Sequence, residues 1–131
     1  ASFFMNSTNS YNIKVSVQVE YIEKQSQPEH NRYLFAYTIT IKNEGQTPAK
    51  LLTRKWLIQD SNGKNEEVFG EGVVGEQPHL EPNQSYQYTS SAMIETPVGS
   101  MQGSYQMMAG DGHQFDASVA PFSLSVPRVL H

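Results

Sequence analysis

The sequence predicts one all-β domain, a two-sheet β-sandwich of the immunoglobulin or fibronectin type III kind with about seven antiparallel strands. Three observations predict it. The chain has 131 residues, which suits a single domain. Its aromatic and β-branched residues fall in short runs, most of which alternate with polar residues. Turn-forming residues separate these runs, and no segment shows helical periodicity.

The first three strands are predicted from their alternation. Ile13–Tyr21 places apolar side chains at every second position, as a strand with one buried face does. Residues 33–41 repeat this pattern with bulkier side chains, and residues 51–59 follow a turn at residues 43–45. The third strand holds the only tryptophan, and its predicted inward face comprises Leu52, Arg54, Trp56 and Ile58.

The fourth predicted strand, at about residues 66–74, is unusual because it contains glycines. It follows an Asn-Gly turn at residues 62–63, which is a strong hairpin signal. Gly70 and Gly72 share one predicted face with Val68 and Val74. Glycines inside a strand indicate a bulge or a close approach by another group.

Three further strands complete the prediction. One begins at residues 86–90, one spans residues 103–109, and the last spans residues 115–126 with a bend at Pro121. Aromatic side chains at inward positions are expected to fill the core. These are Tyr33, Phe35, Tyr37, Trp56, Tyr86, Tyr88, Tyr105 and Phe115, joined by Met93, Met101, Met107 and Met108.

Residues 11–131 are interpreted as this single domain and residues 1–10 as a disordered segment. Residues 1–4 precede Met5 and are interpreted as a remnant of an expression vector. No run approaches the roughly 20 apolar residues that span a bilayer. We therefore expect a cytoplasmic protein that does not engage membranes.

Charge and composition limit the partners. The formal net charge is −4 and the nine lysines and arginines are scattered, which disfavours nucleic acid. The chain has no cysteine, so disulfides and thiolate metal sites are excluded. We expect no cofactor, and a monomer or a weak homodimer.

The sequence contains the spacing GxGxxG at Gly70, Gly72 and Gly75. In dinucleotide-binding folds, the backbone amides of such a segment bind a pyrophosphate where a helix begins. Here Glu76, Gln77 and Pro78 follow, and proline argues for extended chain instead of a helix. Two interpretations remain open. The glycines serve the structure, or they expose backbone to a ligand or partner.

Neither catalysis nor a dedicated metal site is predicted. The histidines are scattered without ligand spacing, and no serine has the surroundings of an activated nucleophile. A weak oxygen-rich cation site remains an alternative. The histidines are His30, His79, His113 and His131, and the carboxylates are those of Glu66, Glu67, Glu71, Glu76 and Asp111.

Six blocks of the sequence can be compared with a known family. They are residues 33–37, 54–56, 70–78, 88–90, 96–105 and 121–124. In this order they resemble the blocks of the bacterial ApaG family. Two positions depart from the family: the position of Ser91 is usually glycine, and the position of Lys55 is often histidine.

The resemblance implies a fibronectin type III-like sandwich with no assigned catalytic residues. It also implies links, by name and gene neighbourhood, to cobalt and magnesium tolerance and to diadenosine tetraphosphate hydrolysis. Related eukaryotic domains act as binding modules.

The leading hypothesis is therefore a non-catalytic domain that binds a protein or small ligand through the glycine segment and a turn expected to neighbour it. The alternative is a factor that binds divalent cations or pyrophosphate directly, in cobalt and magnesium homeostasis. A third hypothesis, a phosphohydrolase, lacks a plausible base and metal set. The candidate binding residues are Gly70, Glu71, Gly72, Gly75, Glu76, Gln77, Pro78, Thr96, Pro97 and Gly99.

Overall fold

The computed structural model describes residues 10–127, which form eight β-strands and two single 3₁₀ turns. The turns, Glu23–Gln25 and Pro28–His30, both lie between the first two strands. The predicted disordered segment lies outside the described residues except for Ser10. The strands are β1 Ile13–Tyr21, β2 Tyr33–Asn43, β3 Ala49–Asp60, β4 Asn65–Glu71, β5 His79–Leu80, β6 Ser85–Ile94, β7 Val98–Ala109 and β8 Gln114–Ser125.

The strands form two antiparallel sheets. One has the order β1-β2-β6, and the other has the order β4-β3-β7-β8 with β5 paired to the start of β3. Apolar side chains from both sheets meet between them, as in other sandwiches. The predicted fold, a fibronectin type III-like sandwich, is confirmed.

Trp56 joins the two sheets at the centre of the core. Its ring makes edge-on contacts with Tyr37 of β2, Tyr105 of β7 and Phe122 of β8, at centroid distances of 5.8, 5.9 and 6.0 Å. All eight aromatic residues predicted to point inward are buried or packed against the core. Met93 and Met108 differ from the prediction, because Met93 is 47% exposed and Met108 is not among the core residues.

A β-bulge in β3 changes the predicted inward face. The register against β7 shifts between Leu51 and Thr53, so Leu52 is an extra residue. Leu51 is fully buried, whereas Leu52 is not a core residue. The expectation for Leu52 is wrong because a bulge reverses the alternation of faces on one side of it.

Two buried tyrosines form a hydrogen bond across the core. The hydroxyl oxygens of Tyr88 on β6 and Tyr105 on β7 lie 2.6 Å apart. Burial raises the pKa of Tyr88 to about 12 and also raises the pKa of Tyr105. Both hydroxyls are therefore neutral in the folded protein at neutral pH.

Replacing Tyr88 by phenylalanine leaves the Tyr105 hydroxyl without this partner, so Tyr88→Phe should lower the free energy of unfolding by about 1–3 kcal/mol at neutral pH. The folded pKa of Tyr88 lies above the unfolded value of about 10. Its contribution is complete below pH 10 and declines as pH rises towards 12. Denaturant unfolding across this range should therefore show wild type and variant converging. A constant difference would contradict the burial of this hydroxyl.

Candidate binding site

The predicted fourth strand ends earlier than expected, at a tight turn. β4 stops at Glu71, and Val73 and Glu76 exchange two backbone hydrogen bonds of 2.7 and 3.0 Å. Val74 and Gly75 have φ angles of 48° and 78°, as in a two-residue type I′ turn. The prediction that Val74 shares a strand face with Val68, Gly70 and Gly72 is wrong, because β4 has ended before Val74, which is 63% exposed on the turn while Val73 is fully buried.

Arg54 holds this segment in place. Its Nη1 donates hydrogen bonds to the backbone oxygens of Glu71 at 3.1 Å and Gly72 at 2.9 Å. A Cβ atom at Gly70 would lie 2.7 Å from the same Nη1. Gly70 therefore provides the space that the guanidinium occupies. The sequence signal was an arginine on an inward face, and sequence reasoning did not interpret it.

Gly72 is also required by the structure. Its φ angle is 63°, a region that favours glycine. A Cβ atom there would lie 2.2 Å from the backbone oxygen of Glu76. Both conditions support the interpretation that these glycines serve the structure.

Residues on both sides of the turn are hydrogen-bonded to the bulge in β3. The backbone oxygen of Leu52 accepts hydrogen bonds of 2.9 Å from the Gly72 N–H and from Nε2 of Gln77. The Leu51 N–H donates a hydrogen bond of 2.9 Å to the backbone oxygen of Pro78, and the residue Pro78 is buried. The segment from Gly72 to Pro78 is thus fastened to β3 at several points.

This arrangement does not form an anion cradle. The N–H groups of Gly72, Val73 and Glu76 are already bonded to backbone oxygens. Strands lie on both sides of the segment, so no helix begins here. Glu71 and Glu76 are exposed beside the same shallow concavity, where their charges would repel a phosphate. Within residues 10–127, no three His, Asp or Glu side chains converge as metal ligands would.

The second predicted part of the site lies elsewhere. Thr96 is buried, and its Oγ1 accepts a hydrogen bond from the Ser61 N–H and donates one to the Val98 oxygen. Pro97 is exposed beside it, and Gly99 pairs with Asp60 at the far end of β3. Glu71 pairs with Thr53, which lies seven residues before Asp60 on β3 and therefore roughly 23 Å from it. The expectation that the two turns are neighbours is wrong, because they flank opposite ends of β3.

Comparison with known proteins places this architecture in a family. The sequence model of the ApaG domain (DUF525) matches residues 23–109. The chain belongs to the ApaG domain family. The predicted resemblance is confirmed, and the matched residues of the ApaG domain include every candidate site residue.

Relatives resemble the chain over nearly its whole length. The Protein ApaG of Azotobacter vinelandii is 58% identical over 121 residues, which cover 92% of this chain and 96% of that protein. The Protein ApaG of Methylococcus capsulatus is 55% identical with the same coverage. A crystal structure from Bordetella pertussis is 40% identical, has a TM-score of 0.90, and matches 92% of this chain and 98% of its own.

In this ApaG domain, Gly72→Ala should lower the free energy of unfolding much more than the matched change Gly63→Ala does. Both glycines have positive φ angles, but a Cβ at Gly63 meets no atom within 4 Å. Gly72→Ala should lower the free energy of unfolding by about 1 kcal/mol or more beyond the control. Denaturant unfolding measures both variants. Equal losses of stability in the two variants would show that the close approach of the Glu76 backbone oxygen to position 72 does not affect stability.

Val74→Asn should stabilise the domain by about 1 kcal/mol, because a β-branched residue is strained at a positive φ and Asn-Gly is the preferred type I′ pair. Thermal unfolding would show a higher Tm than that of wild type. A lower Tm would mean that the Val74 side chain makes contacts that outweigh the strain.

Proposed function

We propose that this chain is a non-catalytic protein-recognition domain that binds a partner through the turn at residues 72–76, here called the Val74 turn, and the adjoining edge of β4. The observation that supports this most is Val74 itself. A strained backbone position holds an apolar side chain that is 63% exposed, on a turn fixed by Arg54. Such strain is typical of functional segments.

The edge of β4 supports the same function. Phe69 on this strand is 72% exposed, so two large apolar side chains of one segment face solvent. β4 pairs with β3 on one side, and no other strand of residues 10–127 pairs with its outer side. The carboxylates of Glu66, Glu67 and Glu71 oppose the addition of a strand along this side, so a partner would contact β4 through the side chains of Phe69 and Val74.

The links with cobalt and magnesium tolerance that the family resemblance implies would then arise indirectly, through a bound protein. Direct binding of a divalent cation or pyrophosphate is the alternative, because Glu71 and Glu76 border one concavity. Titration with magnesium, cobalt and pyrophosphate at millimolar concentration should leave the backbone amide signals of residues 70–78 unchanged. Saturable shifts confined to these residues would support the alternative and contradict the proposal.

Val74→Lys should abolish partner binding without unfolding the domain, because it replaces an exposed apolar contact by a charge at a position without core contacts. The matched control is Val98→Lys, since Val98 is 49% exposed near the opposite end of β3. Proteins captured from the native cell would be compared by mass spectrometry. The expected partner is retained by wild type and the control and lost with Val74→Lys. Identical captured sets for all three proteins would contradict the proposal.

A further inference from the structure

Within residues 10–127, the long strands at the outer edges of the two sheets are β1, β4, β6 and β8, and the two-residue β5 lies on the same side of β3 as β4. β6 differs from the other three long edge strands. β6 has no charged residue and no proline, and it pairs with β2 through ten consecutive residues without a register shift. Its other side has no partner among the strands of residues 10–127. Natural edge strands usually carry charges, prolines or bulges that prevent pairing. Such devices occur in β1 with Lys14 and Glu20, in β4 with Glu66, Glu67 and Glu71, and in β8 with Asp116, Pro121 and a register shift.

The chemistry at the end of β6 indicates which partner this edge would favour. Met93 is 47% exposed beside a concavity that it shares with Ile58 of β3. Three carboxylates border the same concavity, with one lysine among them, and Lys64 Nζ lies 3.4 Å from Glu95 Oε1. The carboxylates are those of Asp60, Glu66 and Glu95.

We infer that the free edge of β6 accepts, as an added strand, an extended segment of a partner protein in which apolar residues alternate with lysine or arginine. Backbone hydrogen bonds to β6 would supply affinity, and Met93 would contact an apolar side chain of that segment. The acidic border would select its basic residues. A second copy of the chain would bring the same carboxylates and a net charge of −4, so charge disfavours it. This inference rests on the proposed protein-recognition function and assigns it a second contact strand.

The test uses the protein with three synthetic peptides of about nine residues, a length that can span β6. One alternates lysine with valine, one alternates glutamate with valine, and one is the first peptide with N-methyl groups along one edge. The lysine–valine peptide should shift the amide signals of Ser85–Ile94 and slow their hydrogen exchange. The glutamate–valine peptide and the N-methylated peptide should bind at least about tenfold more weakly.

Met93→Lys should weaken binding of the lysine–valine peptide about tenfold, because it removes an apolar contact and adds a like charge. Val19→Lys is the matched control on β1, the opposite edge of the same sheet, where Val19 is 36% exposed. It should leave the affinity unchanged, and both variants should melt like wild type.

Three results would overturn the inference. The amide signals of β6 could stay unchanged, the N-methylated peptide could bind as tightly as the lysine–valine peptide, or Met93→Lys and Val19→Lys could weaken binding equally. Protection of β6 that grows with protein concentration alone would also overturn it, in favour of a second copy. Val74→Lys leaves β6 intact and should bind the lysine–valine peptide as wild type does. The two proposals can therefore fail separately. If Val74→Lys loses its captured partner and no peptide binds at β6, this inference is refuted and the proposed function is retained.

Discussion

The two hydrogen bonds from Arg54 to the backbone of Glu71 and Gly72 set the shape of the exposed β4 segment. The guanidinium lies against Gly70, on the same strand face as Trp56. Its bonds to carbonyl oxygens compensate for partial removal from water. From this point the chain can turn back at Val74 and fasten to the bulge at Leu52. The arginine thus connects the core to a solvent-exposed turn.

This constraint explains a spacing that resembles a nucleotide-binding motif. Gly70 makes room for a side chain, Gly72 avoids a backbone oxygen, and Gly75 occupies the second position of a type I′ turn. In a dinucleotide-binding fold, the same spacing frees amides at the beginning of a helix. Here the amides of Gly72, Val73 and Glu76 are bonded within the protein. One pattern of glycines therefore serves two different geometries, and its structural context decides between them.

Much of the fold could be predicted because alternation is a local property of each strand. β1 and β2 show it clearly, and the eight inward aromatic residues were correctly identified. β5 was missed because a two-residue strand has no period to detect. Leu52 was misassigned because a bulge depends on contacts with residues far along the chain, such as Gln77. The sequence does not predict the distance between the Val74 turn and the turn at residues 96–99, because that distance depends on strand pairing and not on sequence separation.

The absence of a side chain at Gly70 leaves room for the Arg54 guanidinium, and a double-mutant cycle tests this relation directly. Gly70→Ala in the wild-type background should lower the free energy of unfolding by about 1 kcal/mol or more, because the guanidinium must move and lose its bonds to the backbone oxygens. In the Arg54→Ala background, the same Gly70→Ala change should be neutral or stabilising, since alanine is otherwise better suited to a strand. An equal loss in both backgrounds would show that Gly70 does not serve to accommodate Arg54.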